Sequence, residues 1–268
     1  MELVTETFLG QLKKPSAESH KGQNGRVLVI AGSDKYHGAL LLAIQAVSRI
    51  VDMVYVYSPD NVKLVEKLKS EVAVFINVLP GELWNTADFV DAILIGPGLA
   101  ENRSNKKILE KILSAKGGPA SSWKNIVIDA AALWHVDPHL LHSNCVVTPH
   151  SREFENVFAC DSKPENVEKM AKYYGCIIVL KGKYDYISDG KDLFENRTGN
   201  VGMTKGGTGD VISGLITGLA AKNDTLTSAL AGIYLTGLAG DRLYEKYGTF
   251  YNAEDVIQSL GEVWKVAL

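Results

Sequence analysis

Short runs of β-branched and aliphatic residues recur along this chain, separated by segments of helical period, and that alternation restricts the fold more than any other feature. The runs are RVLVIAG, MVYVYS, VAVFINVL, AILIGPG, NIVIDA, CVVTPH and CIIVLKG. They are brief and mostly apolar throughout, so they read as strands buried on both faces, the signature of a parallel sheet. Parallel neighbours need crossovers, and residues 38–51, 60–70, 102–114 and 164–174 have the length and pattern of crossover helices. The expected fold class is therefore α/β, a mostly parallel sheet with helices on both faces. After residue 182 the texture changes. YDYISDGKDLFEN alternates around Asp189-Gly190, a hairpin signal, and from Asp210 onward the chain reads largely as helix. The apolar stretches 228–238 and 256–268 suit either a core or a subunit interface. No repeat or linker divides the chain, and its one flexible-looking loop, 117–122, is too short to separate two domains.

Composition narrows the class. Of 268 residues, 46% are hydrophobic and 22% charged, an ordinary soluble balance with enough apolar mass for a full core. A formal charge of -3 without basic runs argues against nucleic acid as the main partner, because that binding needs a concentrated cationic surface. Cys145, Cys160 and Cys176 are odd in number and lack CxxC spacing. Neither a disulfide framework nor a zinc ribbon is indicated, and a reducing, cytoplasmic location is expected. The opening MELVTETFLGQLKK carries acids and no apolar run, and no later stretch is apolar for long enough to span a bilayer. Neither secretion nor membrane insertion is expected.

The segment NVGMTKGGTGDVISG, residues 200–214, sets a glycine-rich turn, an aspartate and an apolar helix start in immediate succession. Gly206, Gly207 and Gly209 can take backbone angles closed to other residues, which lets several amide N–H groups converge on one anion beside a helix N-terminus. Asp210 would then sit at a reacting phosphoryl group. Phosphate repels a carboxylate, so Asp210 makes more sense as the base for an attacking hydroxyl than as a phosphate ligand. The alternative is a glycine-rich helix start whose first turn Asp210 merely caps.

Several strands end in residues that packing does not require. AILIGPG, IVIDAAAL, VVTPHSREF and IVLKG place Gly98, Asp129, His150 and Lys181 just past an apolar strand, at the carboxyl edge where parallel sheets bind ligands. Asp129 reads either as a helix cap or as a functional acid. His150 reads as a loop residue or as a neutral imidazole that hydrogen-bonds a polar substrate. Lys181 is expensive to bury without an anion, which favours a nucleotide contact over a surface role. Tyr184, close by, is a candidate adenine neighbour. No GxxxxGKS/T occurs, and GPGLAE and GGTGDV both fail the GxGxxG spacing, so a different phosphate-binding architecture is required. His135, His139 and His142 would share a face of an unbroken helix, but Pro138 interrupts it and no acid or cysteine completes the set. No metal ligand is assigned.

Together these motifs resemble one family. HKGQNGRVLVIAGSDKYHGA (20–39), IGPGL, IDAAAL, TPHSREF, VLKG and GNVGMTKGGTGDVISGLITGLA follow, over nearly the whole chain, the order found in the ADP- or ATP-dependent NAD(P)H-hydrate dehydratases of the ribokinase-like superfamily. The resemblance implies a single domain over residues 1–268, a three-layer α/β/α sandwich in which nucleotide and hydrated dinucleotide meet at the carboxyl edge. It implies repair of the (6S)-hydrate of NADH or NADPH. ADP or ATP phosphorylates the ring hydroxyl, and loss of phosphate restores the reduced cofactor. Carried over by motif, Ala39, Gly98, His150 and Asp210 would contact the hydrate, with Asp210 as base. Lys181, Gly182, Lys183, Tyr184, Asp185 and Gly209 would hold the adenine nucleotide. Mg²⁺ is expected on the phosphates without an all-protein cage. A homo-oligomer such as a tetramer is expected, and the epimerase domain fused in many relatives would here be a separate protein.

Three segments depart from the family pattern: Ala131 stands where an acid is common, TPHSREF where TPHPGEF is common, and Asp185 where KGxxT carries threonine. An acid near polyphosphate must point away or meet Mg²⁺ or a ribose hydroxyl, and Arg152 offers a compensating charge. Two other functions use the same residues. One is a ribokinase-like kinase for a vitamin-precursor alcohol of the hydroxymethylpyrimidine or hydroxyethylthiazole type, whose product keeps the phosphate. The other is a nucleotide sensor that has lost turnover. The GPGL, TPH and HKG segments favour the dehydratase over the kinase, and the intact GTGD argues against the sensor.

Overall fold

The computed structural model of the chain describes residues 1–61, 63, 65–66, 74–114 and 124–267. Its strands are β1 (Glu2–Leu3), β2 (Arg26–Ile30), β3 (Met53–Tyr57), β4 (Ile76–Asn77), β5 (Ala92–Ile95), β6 (Asn125–Ile128), β7 (Cys145–Val147), β8 (Ile177–Leu180), β9 (Asp185–Ser188) and β10 (Leu193–Asn196). They form a ten-stranded sheet in the order β1-β10-β9-β8-β7-β6-β5-β2-β3-β4. From β8 across to β4 every neighbouring pair is parallel. The β8-β9-β10 meander is antiparallel, turning at Asp189-Gly190 as the sequence predicts.

The uniform apolarity of the strands has a direct cause. In β2, Val27 and Val29 face one layer while Leu28 and Ile30 face the other, and all four are fully buried. A strand covered on both sides has no solvent face and therefore no polar alternation. The helices that cover it are α1 (His37–Val47), α2 (Leu83–Phe89), α3 (Arg103–Ser114), α4 (Ser151–Phe158), α5 (Pro164–Tyr174), α6 (Thr208–Ala220), α7 (Thr225–Tyr247) and α8 (Ala253–Ala267). Leu40 and Ile44 of α1, Ile212 and Ile216 of α6 and Leu230 and Ile233 of α7 pack against one face of the sheet. Leu83 of α2, Leu109 of α3, Phe154 of α4 and Val167 of α5 pack against the other. The result is a three-layer sandwich.

The first face carries a second tier. Val256, Ile257 and Leu260 of α8 pack on Ala46, Val211, Leu215, Leu235 and Ala239, so the apolar residues of 228–238 and of 256–265 are buried largely within the chain itself. Each fully buried aliphatic side chain of this kind contributes roughly 1.5–3 kcal/mol. Helices α1 and α6 touch nearly backbone to backbone, because a Cβ on Gly214 would stand 2.8 Å from the Ala43 carbonyl oxygen.

Three elements escape the sequence reading: the short edge strand β1, α2, and α4, which begins immediately after the TPH segment. Within VAVFINVL only Ile76–Asn77 is strand among the described residues. Most of the helix expected at 60–70 and all of the loop at 117–122 lie outside the described residues.

Candidate active site

The chain leaves β2 toward β3 and β4 on one side, then returns through β5 to build β6, β7 and β8 on the other. The strand order thus reverses between β2 and β5, and such a reversal opens a crevice at the carboxyl ends of the two strands. Here the Gly32 N–H donates to the Pro97 carbonyl at 2.8 Å. Gly98, at φ +63, lies against the start of α1, where a Cβ would stand 2.4 Å from the Tyr36 carbonyl oxygen and 2.9 Å from the Ala39 Cβ. Ala39 and Gly98 therefore form one wall. Any side chain at Gly98 would collide with the backbone at the start of α1.

The second wall is the start of α6. Gly207, at φ +98, occupies the N-cap in a conformation that side chains disfavour, and Thr208, Gly209 and Asp210 form the first helical turn. The amides of that turn lack intrahelical partners and carry the positive end of the helix dipole, which suits an anion. The loop before it is pinned from three directions. Asp241 of α7 accepts from the Gly199 N–H and from Asn200 Nδ2, each at 2.9 Å. The Tyr251 hydroxyl donates to Asn200 Oδ1 at 2.7 Å, and Lys205 Nζ donates to the carbonyls of Thr249 and Tyr251.

Between the walls lies a cluster of buried charge. Lys181, just past β8, donates to Asp129 Oδ1 at 2.8 Å, with the two side chains 17% and 2% exposed. Asp129 precedes the 3₁₀ turn Ala130–Trp134 but makes no side-chain cap bond among the described residues, so its carboxylate serves the lysine instead of the turn. Burial opposes the charge on Lys181, yet the charge and hydrogen bond of Asp129 outweigh it and hold the ammonium above its ordinary pKa. A Cβ on Gly209 would lie 3.3 Å from Lys181 Nζ, which brings the lysine up to the glycine-rich turn.

Asp210 faces the same cluster. Its burial, reinforced by the negative charge of Asp129 and opposed by Lys181, pushes the carboxyl up to about 7. Glu153 of α4, also raised by burial, completes the set. Its Oε2 accepts the His150 N–H at 2.9 Å while His150 Nδ1 accepts the Glu153 N–H at 3.2 Å, a reciprocal cap that starts α4. His150 is half-exposed and pairs across a bridge with Lys181.

The turn after Lys181 answers the question raised by Asp185. Its Oδ1 accepts the Gly182 N–H at 3.0 Å and its Oδ2 accepts from Asn196 Nδ2 at 2.9 Å. Burial raises the carboxyl to about 6, against these two donors and Lys181. The acid therefore braces its own turn, and its hydrogen bonds involve Gly182 and Asn196, with none to Arg152 among the described residues. Tyr184 is exposed, with the Arg197 guanidinium 5.6 Å and Lys183 Nζ 5.4 Å from its ring centre.

A family model described as NAD(P)H-hydrate dehydratase matches residues 27–261, which contain every element of this cleft. The chain belongs to the NAD(P)H-hydrate dehydratase family. A relative in Methanocaldococcus jannaschii, a bifunctional NAD(P)H-hydrate repair enzyme, is 37% identical over 96% of this chain, which spans 52% of that relative's length. An ADP-dependent (S)-NAD(P)H-hydrate dehydratase of Nitrosopumilus maritimus is 36% identical over 93% of this chain and 91% of its own. Among solved structures, the ADP/ATP-dependent NAD(P)H-hydrate dehydratase of Bacillus subtilis, co-crystallized with ATP and Mg²⁺, superposes with a TM-score of 0.86 at 26% identity, over 100% of this chain and 99% of that one. The fold is accordingly the ribokinase-like sandwich that the motifs imply, and the vitamin-precursor kinase is not favoured.

In this member of the NAD(P)H-hydrate dehydratase family, a chain of contacts links several of the residues singled out by motif. Ala39 adjoins Gly98, Gly96 adjoins the Asp129 backbone, Asp129 holds Lys181, and Lys181 meets Gly209. The sequence reading did not pick out Glu153, Asn196, Asp241 or Tyr251. Only Glu153 carried a usable signal, the acid three residues after a potential cap. His135 ends one 3₁₀ turn and His139 lies in another, with Pro138 between them, so the histidine trio shares no helix face. Among the described residues no group of three or more His, Cys, Asp or Glu could hold a metal. Asp129 Oδ1 accepts from Lys181 and Glu153 Oε2 from the His150 N–H. None of the helices in the described residues is long and apolar enough to cross a membrane.

Proposed function

We propose that this chain catalyses the nucleotide-dependent dehydration of the (6S)-hydrate of NADH or NADPH, with ADP, or ATP in its place, as phosphoryl donor. The observation that supports this reading best is Asp210, a buried carboxyl raised to about 7 in the first turn of a glycine-opened helix, beside but not ion-paired with Lys181. A group in that range can accept a proton from a hydroxyl near neutral pH. Asp210 takes the proton of the ring hydroxyl as its oxygen attacks the terminal phosphorus of the nucleotide. The bond from that phosphorus to its bridging oxygen breaks, and AMP leaves when ADP is the donor. The ring C–O bond then breaks with its electron pair leaving on phosphate, and loss of a proton from the adjacent ring carbon restores the double bond. Phosphate leaves where hydroxide would not.

The remaining roles follow from position. The amides of Thr208 and Gly209 and the ammonium of Lys181 face the transferring phosphate, and the 182–185 turn with Tyr184 borders the nucleotide. Ala39, Gly98 and His150 line the side toward the hydrate. Mg²⁺ would accompany the nucleotide and offset the charge of its phosphates. The test is absorbance in the reduced-nicotinamide band after mixing the protein with NADH hydrate, Mg²⁺ and either ADP or ATP. Recovery that requires nucleotide is expected. No recovery with either nucleotide, in protein shown to be folded, would overturn this reading.

A further inference from the structure

Four ionisable side chains from separate parts of the fold meet at the carboxyl edge: Asp129 after β6, Glu153 on α4, Lys181 after β8 and Asp210 on α6. One cation faces three carboxylates and can neutralise only one of them. Its choice is settled, because Lys181 Nζ lies 2.8 Å from Asp129 Oδ1 and, among the described residues, neither Asp210 nor Glu153 comes within ion-pair distance of it. His150, the other titratable neighbour, is turned toward Glu153 at 3.5 Å.

The fold goes to some length to hold Asp129 there. Ala130 sits at φ +48, a left-handed conformation that residues with a side chain disfavour. Gly96 leaves room for the Asp129 backbone only because it lacks a Cβ, which would stand 1.8 Å from the Asp129 carbonyl oxygen. The side chain caps no helix and is almost fully buried. Strain of this kind gathers where a side chain must be aimed.

We propose that Asp129 is a positioning residue that holds Lys181 away from Asp210, leaving the Asp210 carboxylate open to a proton and the other Lys181 N–H bonds turned toward phosphate. This deepens the phosphoryl-transfer reading of the site and rests on it. With Asp129 neutralised, the nearest anions left to the lysine are Asp210 and Glu153. Pairing with Asp210 would keep that carboxylate ionised to lower pH, weaken it as a base and draw the lysine off the phosphate.

The decisive experiment follows the Asp210 carboxyl by carbon-13 NMR across pH, identified by its loss in Asp210→Asn, in the wild type and in Asp129→Asn. The titration midpoint is expected to move down by about one pH unit or more in Asp129→Asn. An unmoved or raised midpoint overturns the proposal. The Asp129 charge also raises Asp210 directly, so the same comparison is made in the Lys181→Met background: the shift caused by Asp129→Asn is expected to be smaller there by about half a unit or more, and equal shifts in the two backgrounds would show Asp129 acting by its own charge alone and sink the idea. Should the unpaired lysine keep Asp129→Asn from folding, Asp129→Glu, which keeps the charge and moves the anchor of the lysine by one methylene, takes its place, and an Asp210 midpoint equal to that of the wild type would overturn the proposal. Titration needs no turnover, so a wild type without NADH hydrate activity would defeat the functional reading while this inference is still decided on its own. In an active enzyme, the acid limb of kcat should follow the NMR midpoint.

Discussion

The two edges of this sheet use the same kinds of residue to different ends. At the amino edge a cavity of about 980 Å³ opens among Lys13, Arg49, Lys124, Lys222 and Trp264, and none of the charged residues clustered at the other edge lines it. Its acid Asp91 accepts the Arg26 N–H at 2.8 Å and meets the guanidinium at 3.4 Å, in a pair whose side chains are 37% and 26% exposed. At the carboxyl edge Asp129 and Lys181 are paired at 2.8 Å and nearly sealed from water, with two further acids close by. Water screens the first pair, whereas the second leaves an excess of negative charge that burial turns into proton affinity. Unbalanced buried charge is what sets the proposed site apart from the amino edge.

That contrast can be broken most forcefully at Asp210. Asp210→Asn should lower turnover about 10³-fold or more while nucleotide binding persists, since a base acts only along the reaction path. The same substitution should raise stability at high pH. Burial holds the folded carboxyl at about 7 against 3.8 in its ordinary state, so the wild type loses stability as pH climbs through that window and the asparagine variant does not. Denaturation midpoints should therefore favour Asp210→Asn above pH 7 and converge below about pH 4. Parallel pH curves would mean that buried charge does not set this edge apart.

A smaller effect is expected at the lysine. Lys181→Ala should weaken nucleotide binding about tenfold to a hundredfold and destabilise the fold by about 3–5 kcal/mol near neutral pH, because Asp129 is left buried without its partner. Calorimetric titration that finds unchanged nucleotide affinity would reduce Lys181 to a structural role. The smallest effect belongs to the amino edge. Arg26→Met should cost about 1 kcal/mol or less and leave turnover unchanged, and a larger loss in urea unfolding would erase the distinction between the edges.

How much of this was legible depends on range. The strands of the central sheet and the hairpin at Asp189-Gly190 were readable because burial on two faces and turn chemistry leave local traces. Helix α4 was missed because its N-cap is a histidine and its first turn, SREF, carries mixed polarity. Lys181 was rightly marked as needing an anion, and the sequence reading offered the nucleotide. The structure supplies Asp129, 52 positions earlier, as that anion. The acid at Asp185 looked hostile to phosphate until its two hydrogen bonds showed it bracing the 182–185 turn.

The amino-acid order alone thus determined the layered α/β architecture, the glycine-rich turn and the aspartate behind it, because periodicity and backbone permissiveness act over a few neighbouring residues. Only the tertiary structure decided which carboxylate holds Lys181 and which is left to take a proton. Those outcomes depend on ångström distances between strand ends and helix starts that are remote in the chain, and on the burial that strengthens every charge among them.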